Sequence, residues 1–525
     1  MVRTVATICL PMPKISKVIV TNCRALETKY LANYTRVSAA IDALVKADNA
    51  RDITTRLVDL GDATTMKRMG AAAVVDPEDH RGTKAAIDAV WRSTTPDYIA
   101  IVGAPDIVTH QLLLNPVYKP GDDDDRFAPS DLPYACDAPF SQQIADFRGP
   151  TRVVGRIPDL NGSGDIGYIE RVLRIAATYR ERPVANYMRY FGLTAAVWRK
   201  STAMSLAKTF GDNAALHDAP PEGPGWKASQ LEPLAHFINC HGGSADTKFY
   251  GQRGNSYPVA MESARIDRKI RNGTIVAAEC CYGAQLFDPA IPGDMGICNR
   301  YLRLGAYAFF GSSTIAYGPS EGNGSADLVC QFFIQRVIAG ASTGRAALEA
   351  RLAFVQQAVH LDPTDLKTLA QFNLMGDPSI TVVGHAGHSL NKTKIYARAL
   401  DYRPQEIERE QRRQRLQRDG AMLGATTGAA KGTTKHRTSA RIRQVLAASV
   451  RDAQLPPGDP MVFAVDDPAR RTIGRKIADT TPSAFHVMHG SRPVPGAPDR
   501  KRHVVVVATV QDGGIVRLRR LHRRG

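Results

Sequence analysis

The sequence predicts an α/β protein with a largely parallel main sheet, followed by a small β-rich C-terminal domain. Short apolar runs alternate with segments of helical periodicity up to about residue 390, which is the pattern of parallel strands joined by right-handed crossovers. Two of these runs end abruptly on a reactive side chain close to a glycine, at His241 and at Cys281. Beyond Asp401 the chain becomes strongly basic and its apolar runs are strand-like. We therefore expect a catalytic α/β body with a basic appendage.

The first part of the chain contains three predicted strands and three predicted helices, which we assign to an N-terminal α/β subdomain covering residues 1–185. Runs of apolar residues or helical spacing of apolar residues define each of them. In chain order they are the strand Lys17–Asn22, the helix Leu26–Lys46, the strand Thr55–Leu60, the helix Thr83–Arg92, the strand Tyr98–Val102 and the helix Ile166–Arg182.

The second part, residues 186–390, is predicted to form a further α/β subdomain that carries the reactive residues. Its predicted strands begin at Tyr190 and precede His241 and Cys281. The elements around them are the helix Ser201–Phe210, the strand Tyr307–Phe310, the helices Asp327–Ala339 and Gly344–Val359, and a closing strand Ile380–Val383.

Four consecutive aspartates, Asp122 to Asp125, interrupt the first part within a Pro- and Gly-rich loop. Carboxylate oxygens are the ligands that calcium prefers. A dense run of like charges is, however, more typical of a solvated, unstructured loop. We expect the solvated loop and keep calcium as the alternative.

The last part of the chain divides into a charged helix with a flexible linker, residues 391–445, and a small basic β-rich domain, residues 446–525. Six arginines lie between Arg403 and Arg418, and the following stretch to Ser439 is rich in Gly, Ala, Thr and Lys. Strands are predicted at Pro460–Val465, His503–Val510 and Ile515–Leu518, and Asp512-Gly-Gly514 indicates a hairpin between the last two.

The charge is concentrated in this last part. The net charge of the chain is +17, and residues 401–525 carry 13 more Lys and Arg than Asp and Glu. Its basic tail, Arg517 to Arg524, is expected to be solvated, and contact with an acidic partner or nucleic acid is the alternative. Because aromatic residues are not interleaved with the basic ones, the pattern favours the solvated tail.

The cysteines and the apolar runs indicate the compartment. The chain has eight cysteines, with no Cys-x-x-Cys spacing and none after Cys330, so neither a disulfide framework nor a zinc ribbon is expected. No apolar run reaches the eighteen residues of a membrane span, and the first ten residues make a poor secretory signal. We expect a cytoplasmic protein that makes no contact with a membrane.

His241 and a cysteine at the neighbouring strand end are candidates for a base and a nucleophile. Parallel strands deliver such residues to the carboxyl edge of a sheet, where α/β proteins place their sites. A thiol is only a few per cent thiolate at neutral pH, and a neighbouring imidazole takes its proton and later protonates the leaving amine. The glycines after His241 permit a close backbone approach, so the N–H of Gly242 and that of the cysteine are candidate oxyanion donors.

Several ordered fragments resemble the gingipain family of cysteine peptidases, in the clan of caspases and legumain. Besides His-Gly and the cysteine, the shared fragments are Pro96-Asp-Tyr-Ile-Ala-Ile-Val-Gly103, Ser130-Asp-Leu-Pro-Tyr134, Val153-Val-Gly-Arg-Ile-Pro158, Leu304-Gly-Ala-Tyr-Ala-Phe-Phe-Gly-Ser-Ser313 and Phe372-Asn-Leu-Met-Gly-Asp-Pro378. The resemblance covers about residues 15–385. It implies a caspase-like, three-layer α/β/α fold with two α/β subdomains and a cysteine endopeptidase working through a thioester acyl-enzyme.

The resemblance leaves the choice between Cys280 and Cys281 open. Glu279-Cys280-Cys281-Tyr-Gly283 fits the caspase-like pattern of an acidic residue, a small residue, the nucleophile and a glycine two positions on, which favours Cys281. Other clan members carry Cys-x-x-Gly, which selects Cys280. Alternation along a strand places the two thiols on opposite faces, so only one of them meets His241. His236 is a second candidate base, but a packed histidine is the expected role for it.

The resemblance implies neither arginine specificity nor a cofactor. Arginine-specific relatives carry an acid on the loop after the opening strand, whereas Trp198-Arg-Lys-Ser-Thr202 has none. A substrate side chain is then read elsewhere, with Ser312, Ser313 and Thr314 as candidates against a plain turn. The dyad needs no metal, and calcium enters by family analogy alone. The alternative to a peptidase is a catalytically silent scaffold whose basic C-terminal region binds a partner.

Overall fold

The computed structural model describes residues 15–358, 360–384, 415–420, 423, 428–434, 437–466, 484–494, 497–511 and 513–523. Strands and helices alternate through its first part. The elements are β1 (Ile15–Thr21), α1 (Cys23–Tyr30), α2 (Tyr34–Asn49), β2 (Ile53–Asp59), α3 (Ala63–Arg68), α4 (His80–Thr94), β3 (Tyr98–Val102), β4 (Gln111–Leu114), β5 (Phe127–Ser130), β6 (Val154–Ile157) and α5 (Ile166–Ala177).

The second part continues the alternation and carries the strands that precede the reactive residues. Its elements are α6 (Ala185–Met188), β7 (Tyr190–Ala195), α7 (Arg199–Phe210), β8 (Leu216–Ala219), β9 (Ala235–Asn239), β10 (His241–Gly242), β11 (Lys248–Tyr250), β12 (Val259–Glu262), β13 (Ile275–Ala278), α8 (Ile297–Leu304), β14 (Ala308–Ser312), β15 (Tyr317–Gly318), α9 (Ala326–Ile338), α10 (Thr343–Gln356), β16 (His360–Leu361), α11 (Pro363–Gln371) and β17 (Phe372–Met375).

Local chemistry explains where several helices begin. The side chains of Asn22, Asp79 and Asp165 each accept a backbone N–H of the first turn that follows. Such caps satisfy donors that a helix end leaves without an intrahelical partner. Every residue of β3 is buried, as expected for a strand covered by helices on both sides.

Ten of the described strands of the α/β body form one sheet in the order β2-β1-β3-β6-β17-β14-β13-β9-β7-β8, and β4-β5 and β10-β11-β12 form two small separate sheets. Within each half the neighbouring strands are parallel, as predicted. At the junction β17 runs parallel to β6 and antiparallel to β14. The body is therefore a mixed α/β sheet made of two parallel blocks that run in opposite directions.

The predicted closing strand Ile380–Val383 is wrong. In chain order the last strand of the main sheet is β17, which lies earlier than predicted, within the Phe-Asn-Leu-Met motif. Val383 makes only an isolated bridge to Arg182. Both segments are short, apolar and buried, so the apolar run alone does not distinguish a paired strand from a packed loop.

Several buried polar contacts tie β17 and the segment after it to the first part of the chain. The Lys17 Nζ lies 2.5 Å from Asp48 and 2.6 Å from Asp377, and all three side chains are buried. The backbone N–H of Asp131 donates to the Asn373 side chain at 2.9 Å. Asp131 also forms a two-pronged ion pair with the fully buried Arg156. The polar residues of the motifs thus supply hydrogen-bond and ion-pair partners for buried polar groups where β17 joins the first part of the chain.

The last part of the chain forms an antiparallel sheet with one helix. Its elements are β18 (Gly428–Thr433), α12 (Ala440–Asp452), β19 (Pro457–Asp466), β20 (Ala484–Val494), β21 (Ala497–Gln511) and β22 (Gly514–Arg523). The hairpin predicted at residues 512–514 joins β21 to β22. The predicted linker contains β18 and the start of α12, whereas the predicted charged helix lies outside the described residues over 404–414. The boundaries at 185, 390 and 445 stay predictions.

This second sheet is continuous with the α/β body at both edges. Its strand order is β15-β22-β21-β20-β19-β18-β16, and β15 and β16 belong to the body. Alternate residues of β21 face different partners. Val505 and Val507 join the main core, whereas Val504 and Val506 pack beneath α12. The apolar run of β21 is therefore that of a strand buried on both faces.

In the described part of the chain no helix is both long enough and apolar enough to cross a bilayer.

Candidate active site

The two strands that deliver the reactive residues are neighbours in the sheet. Strand β9 pairs in parallel with β13, and Ile238 lies opposite Ala278. His241 and Cys281 each follow three residues later, so their segments leave the same edge of the sheet. They meet at Gly242, where an added Cβ would lie 1.9 Å from the carbonyl oxygen of Cys281. Glycine is required there because the neighbour is the backbone of the cysteine segment itself.

The His241 ring is held in one orientation by a side chain that the sequence analysis missed. Its Nε2 lies 2.8 Å from Oε1 of Gln252. The Gln252 amide nitrogen donates to the Gly254 carbonyl and to the Tyr257 hydroxyl, both at 2.9 Å. This fixes Oε1 as the acceptor, so His241 Nε2 carries the proton and donates. In the neutral ring Nδ1 is then the basic nitrogen.

Aromatic rings enclose the same imidazole. The Trp198 ring centroid lies 4.3 Å from that of His241, and the Tyr257 centroid lies 5.1 Å away. His241 is only 4 % exposed. Trp198 ends a 3-10 turn between β7 and α7, which places it beside the carboxyl ends of the strands. The ring is therefore both oriented and shielded from water.

The thiol of Cys281 lies against one peptide group. The N–H of Ala316 donates to its Sγ at 3.1 Å, and Sγ lies 3.5 Å from the Ala316 carbonyl oxygen. Cys281 is completely buried, and burial raises the pKa of its thiol to about 11 although Arg523 and the Ala316 N–H act in the opposite direction. In this conformation the thiol is protonated at neutral pH.

Cys280 and His236 lie in the core. The Cys280 Sγ faces the Ile238 carbonyl at 4.0 Å, and burial raises the pKa of its thiol well above the usual value. His236 Nε2 donates to the Pro233 carbonyl, and Nδ1 accepts from the Tyr301 hydroxyl, both at 2.9 Å. Burial lowers the pKa of His236 to about 4. Both residues have surroundings different from those of His241 and Cys281.

The prediction of a solvated loop at Asp122 to Asp125 is wrong. Asp123 is fully buried, 2.6 Å from Lys367 and 2.8 Å from the Tyr317 hydroxyl. Asp125 accepts from Tyr282 and from the N–H of Ile315, both at 2.8 Å. The run packs beside Cys281, because residues far away in sequence supply its partners. Within the described ranges no cluster of three or more His, Cys, Asp or Glu side chains has metal-binding geometry.

The hydroxyls proposed to contact substrate are engaged within the protein. Ser312 donates to the Thr314 carbonyl at 2.7 Å, Ser313 to the Pro129 carbonyl at 2.6 Å, and Thr314 to Gln371 at 2.6 Å. All three residues are buried. These contacts fit the alternative interpretation of this stretch as a structural turn.

A cavity of about 90 Å³ opens beside His241, and the second sheet forms one wall of it. The body contributes Trp198, His241, Gln252 and Tyr257 among others, and β21 and β22 contribute the basic residues Lys501, Arg502, His503, His522 and Arg523. Much of the predicted solvated tail is therefore in the site or in ion pairs. Arg519, for example, lies 2.8 Å from Asp365 and also contacts Asp362.

Gln252, Ala316 and Arg523 were missed by the sequence analysis for a common reason. Each is brought to the site by chain folding rather than by a motif, and a lone glutamine or alanine carries no sequence signal. Arg523 did carry a sequence signal, because it belongs to the basic run Arg517 to Arg524. A run of charge, however, does not say which surface it contacts.

Comparison with protein families places the whole α/β body in one of them. The model of peptidase family C25 matches residues 18–383. A solved structure described as "Structure of Protease" matches 97 % of this chain and 97 % of its own at 11 % identity, with a TM-score of 0.42. Comparison with curated proteins gives no match.

Proposed function

Because the chain belongs to peptidase family C25, a family of cysteine peptidases, we propose that it is an endopeptidase with a His241–Cys281 dyad. His241 is the general base and acid, and Cys281 is the nucleophile. Protein or peptide chains are the substrates. The observation that carries the assignment is the contact of Gly242 with the Cys281 carbonyl, which joins the two reactive segments at one edge of the sheet.

In this proposal the base removes the thiol proton and the thiolate attacks the carbonyl carbon of the scissile peptide. The tetrahedral intermediate places its negative oxygen toward backbone N–H donors, for which Gly242 and Cys281 are our candidates. The imidazolium then protonates the leaving amine, which departs and leaves a thioester on Cys281. Water, deprotonated by His241, hydrolyses the thioester and regenerates the thiol.

Gln252 supports the role of His241 in this scheme. By accepting from Nε2–H it leaves Nδ1 as the proton acceptor, and it stabilises the imidazolium that forms after proton transfer. General base catalysis by a positioned histidine typically contributes about 10²–10⁴-fold. Gln252 is thus a positioning residue in the proposal.

Cys281 is preferred to Cys280 because its surroundings are those of a reactive group. Basic Lys367 and the Ala316 N–H act on the Cys281 thiol and favour its thiolate. The Cys280 thiol faces Ile238 and Cys240 in the core. A thiolate is favoured by cationic and N–H neighbours. Both act on the Cys281 thiol, whereas the groups that shift the pKa of Cys280 include the Cys240 N–H but no cation.

We further propose a cytoplasmic compartment, no required metal and a caspase-like division into two subdomains. The described cysteines form no disulfide, which supports a reducing environment. Calcium at Asp122 to Asp125 stays a family analogy, since Asp123 is already neutralised by Lys367. No observation favours nucleic acid as a partner of the basic region.

The test is a mass-spectrometric map of the cysteine labelled by a substoichiometric peptidyl electrophile, in the wild type and in His241→Ala. We expect Cys281 to be labelled in preference to every other cysteine, with a rate reduced about 10²-fold or more in the variant. Preferential labelling of Cys280 would move the nucleophile by one residue. Unselective labelling that is indifferent to His241→Ala would contradict the dyad and favour the silent scaffold.

A further inference from the structure

The segment that follows β14 lies directly beside the proposed nucleophile. Both the N–H and the carbonyl of Ala316 are within 3.5 Å of the Cys281 Sγ. The next two residues, Tyr317 and Gly318, form β15. A peptide whose carbonyl carbon is presented to this sulfur has to pass alongside β15. An extended chain binds such an edge by adding a strand to it.

In this structure the edge is already occupied by the chain itself. Strand β22 pairs antiparallel with β15, and Arg523 lies opposite Tyr317 and His522 opposite Gly318. We propose that β15 is the edge on which the peptidase binds an extended peptide, and that His522 and Arg523 occupy it as a substrate-like plug that holds the enzyme latent. This inference rests on the proposed function and adds a substrate-binding edge and a mode of regulation to it.

The Arg523 side chain is held in place by its neighbours. Its guanidinium donates to the Asp122 carbonyl at 3.4 Å. Asp123, Tyr282 and Tyr317 act on it together with Cys281 and raise its pKa, although burial alone would lower it. The plug therefore brings a cation into a pocket beside the thiol. An acidic side chain at the same position would face Asp122 and Asp123 and be repelled.

The plug explains why the two reactive residues are buried. Cys281 is 0 % exposed and His241 is 4 % exposed, which leaves no room for a peptide at the thiol. Arg523 and His522 line the remaining cavity at His241. A substrate has to displace these residues before its carbonyl reaches Cys281.

The plug is separable from the rest of β22. Among the described residues two pairs hold it to β15, and His522 also pairs with Val504 of β21, whereas the rest of the strand is held by β21 along its length. Leu521 is buried in the main core, and Arg519 is held by Asp362 and Asp365 on the body. Local opening after Leu521 thus leaves the second sheet in place, in the way that strand ends open independently of a core.

The test opens the plug in the full chain by reversing its charge. The double variant His522→Asp, Arg523→Glu places a carboxylate opposite the Asp122 to Asp125 run at position 523 and a second carboxylate in place of His522. The matched control is Arg443→Glu, which reverses a charge on α12 whose guanidinium pairs with the exposed Asp459. The rate of Cys281 labelling by a peptidyl electrophile and the hydrolysis of a peptide library are measured in each. Cys281→Ala in the double variant gives the background.

We expect both rates to rise on the order of tenfold or more in the double variant, given the worth of two cross-strand pairs and their hydrogen bonds. The control is expected to match the wild type. Hydrogen exchange of the β15 amides should rise in the double variant while that of the β1 amides stays unchanged, which verifies that the fold is intact.

The outcomes separate this inference from the proposed function. Faster Cys281 labelling without peptide hydrolysis would support the plug and contradict the peptidase. Hydrolysis that depends on Cys281 but is equal in the wild type and the double variant would support the peptidase and overturn the plug. A lower rate in the double variant would also overturn it, because Arg523 would then be an activating cation rather than an inhibitor.

Discussion

Two junctions hold this molecule together, and they differ in how charge is buried. The first, where the segment after β17 joins the first part of the chain, contains Lys17 with Asp48 and Asp377, all with side chains at most 1 % exposed. The junction between the body and the second sheet contains the partly exposed Arg519. It also contains two buried histidines, and Nδ1 of His489 lies 3.0 Å from Nε2 of His503.

The difference predicts a permanent junction and one that responds to conditions. Removing one partner of a fully buried ion pair lowers the stability of the protein by several kcal/mol. Neutral buried histidines gain a proton as soon as they are exposed to mildly acidic water. The second junction also ends at the proposed site, where the short β15–β22 pairing lies.

The largest effect is expected at the first junction. Replacing Lys17 by Met removes the cation and leaves Asp48 and Asp377 buried together, so the free energy of unfolding should fall by about 3–5 kcal/mol. Urea denaturation at neutral pH measures it. The variant Lys29→Met is the comparison, since Lys29 pairs with the half-exposed Asp106 as well as with Asp159. A loss below about 1 kcal/mol for Lys17→Met would contradict the description of this junction.

A second variant tests the chemistry without touching either junction. Gln252→Leu removes the acceptor that fixes the His241 tautomer, and we expect the turnover rate of peptide hydrolysis to fall about 10–100-fold at constant KM. Gln252→Glu keeps an acceptor and should restore most of the rate. The measurements are best made in the double variant of β22. If Gln252→Leu raised KM instead, with turnover unchanged, Gln252 would be a substrate contact rather than a positioning residue.

Acidification should loosen the second junction. Burial lowers the pKa of His489 to about 3 and that of His503 well below its usual value. The docked state therefore binds fewer protons than the open state, so docking is strongest above pH 6.5 and weakens as the pH falls from 6.5 toward 3. For each histidine the opening equilibrium changes by up to roughly tenfold per pH unit.

Hydrogen exchange of the β15 amides, corrected for its intrinsic pH dependence, measures this opening. The groups that face the two histidines are Lys119, Asp122, Lys367, Tyr317 and Arg523. Burial raises the pKa of Asp365 to about 6. Its protonation below that pH favours the docked state and so opposes the effect of the histidines over part of the range. His489→Phe therefore serves as the control, and its opening should depend less on pH. Identical pH profiles for the wild type and this variant would exclude the histidines as the cause.

The smallest effect is expected on the outer face of the second sheet. Arg443 is 56 % exposed and Asp459 is 92 % exposed, so their ion pair is screened by water. Arg443→Ala should change the free energy of unfolding by no more than about 0.5 kcal/mol, with labelling of Cys281 unaffected. A larger change in either quantity would show that α12 transmits to the site.

Much of the fold was predictable because it depends on local patterns. Strand β3 coincides with the predicted Tyr98–Val102, and most other predicted strands and helices shift by a few residues at their ends. The opposed direction of the two blocks was not predictable. It depends on β17 pairing with β6 and β14 at once, and no local signal in the short Phe372–Met375 segment specifies either partner.

The sequence by itself determined the alternation of strands and helices, the two strand ends that carry His241 and Cys281, and the β21–β22 hairpin. These follow from apolar periodicity and from glycine and turn residues, which act over a few positions. Only the tertiary structure decided that Gln252 orients His241, that Asp125 packs beside Cys281, and that β22 covers β15. The physical reason is that each of these contacts is satisfied by a group distant in sequence, so its energy appears only when the chain is folded.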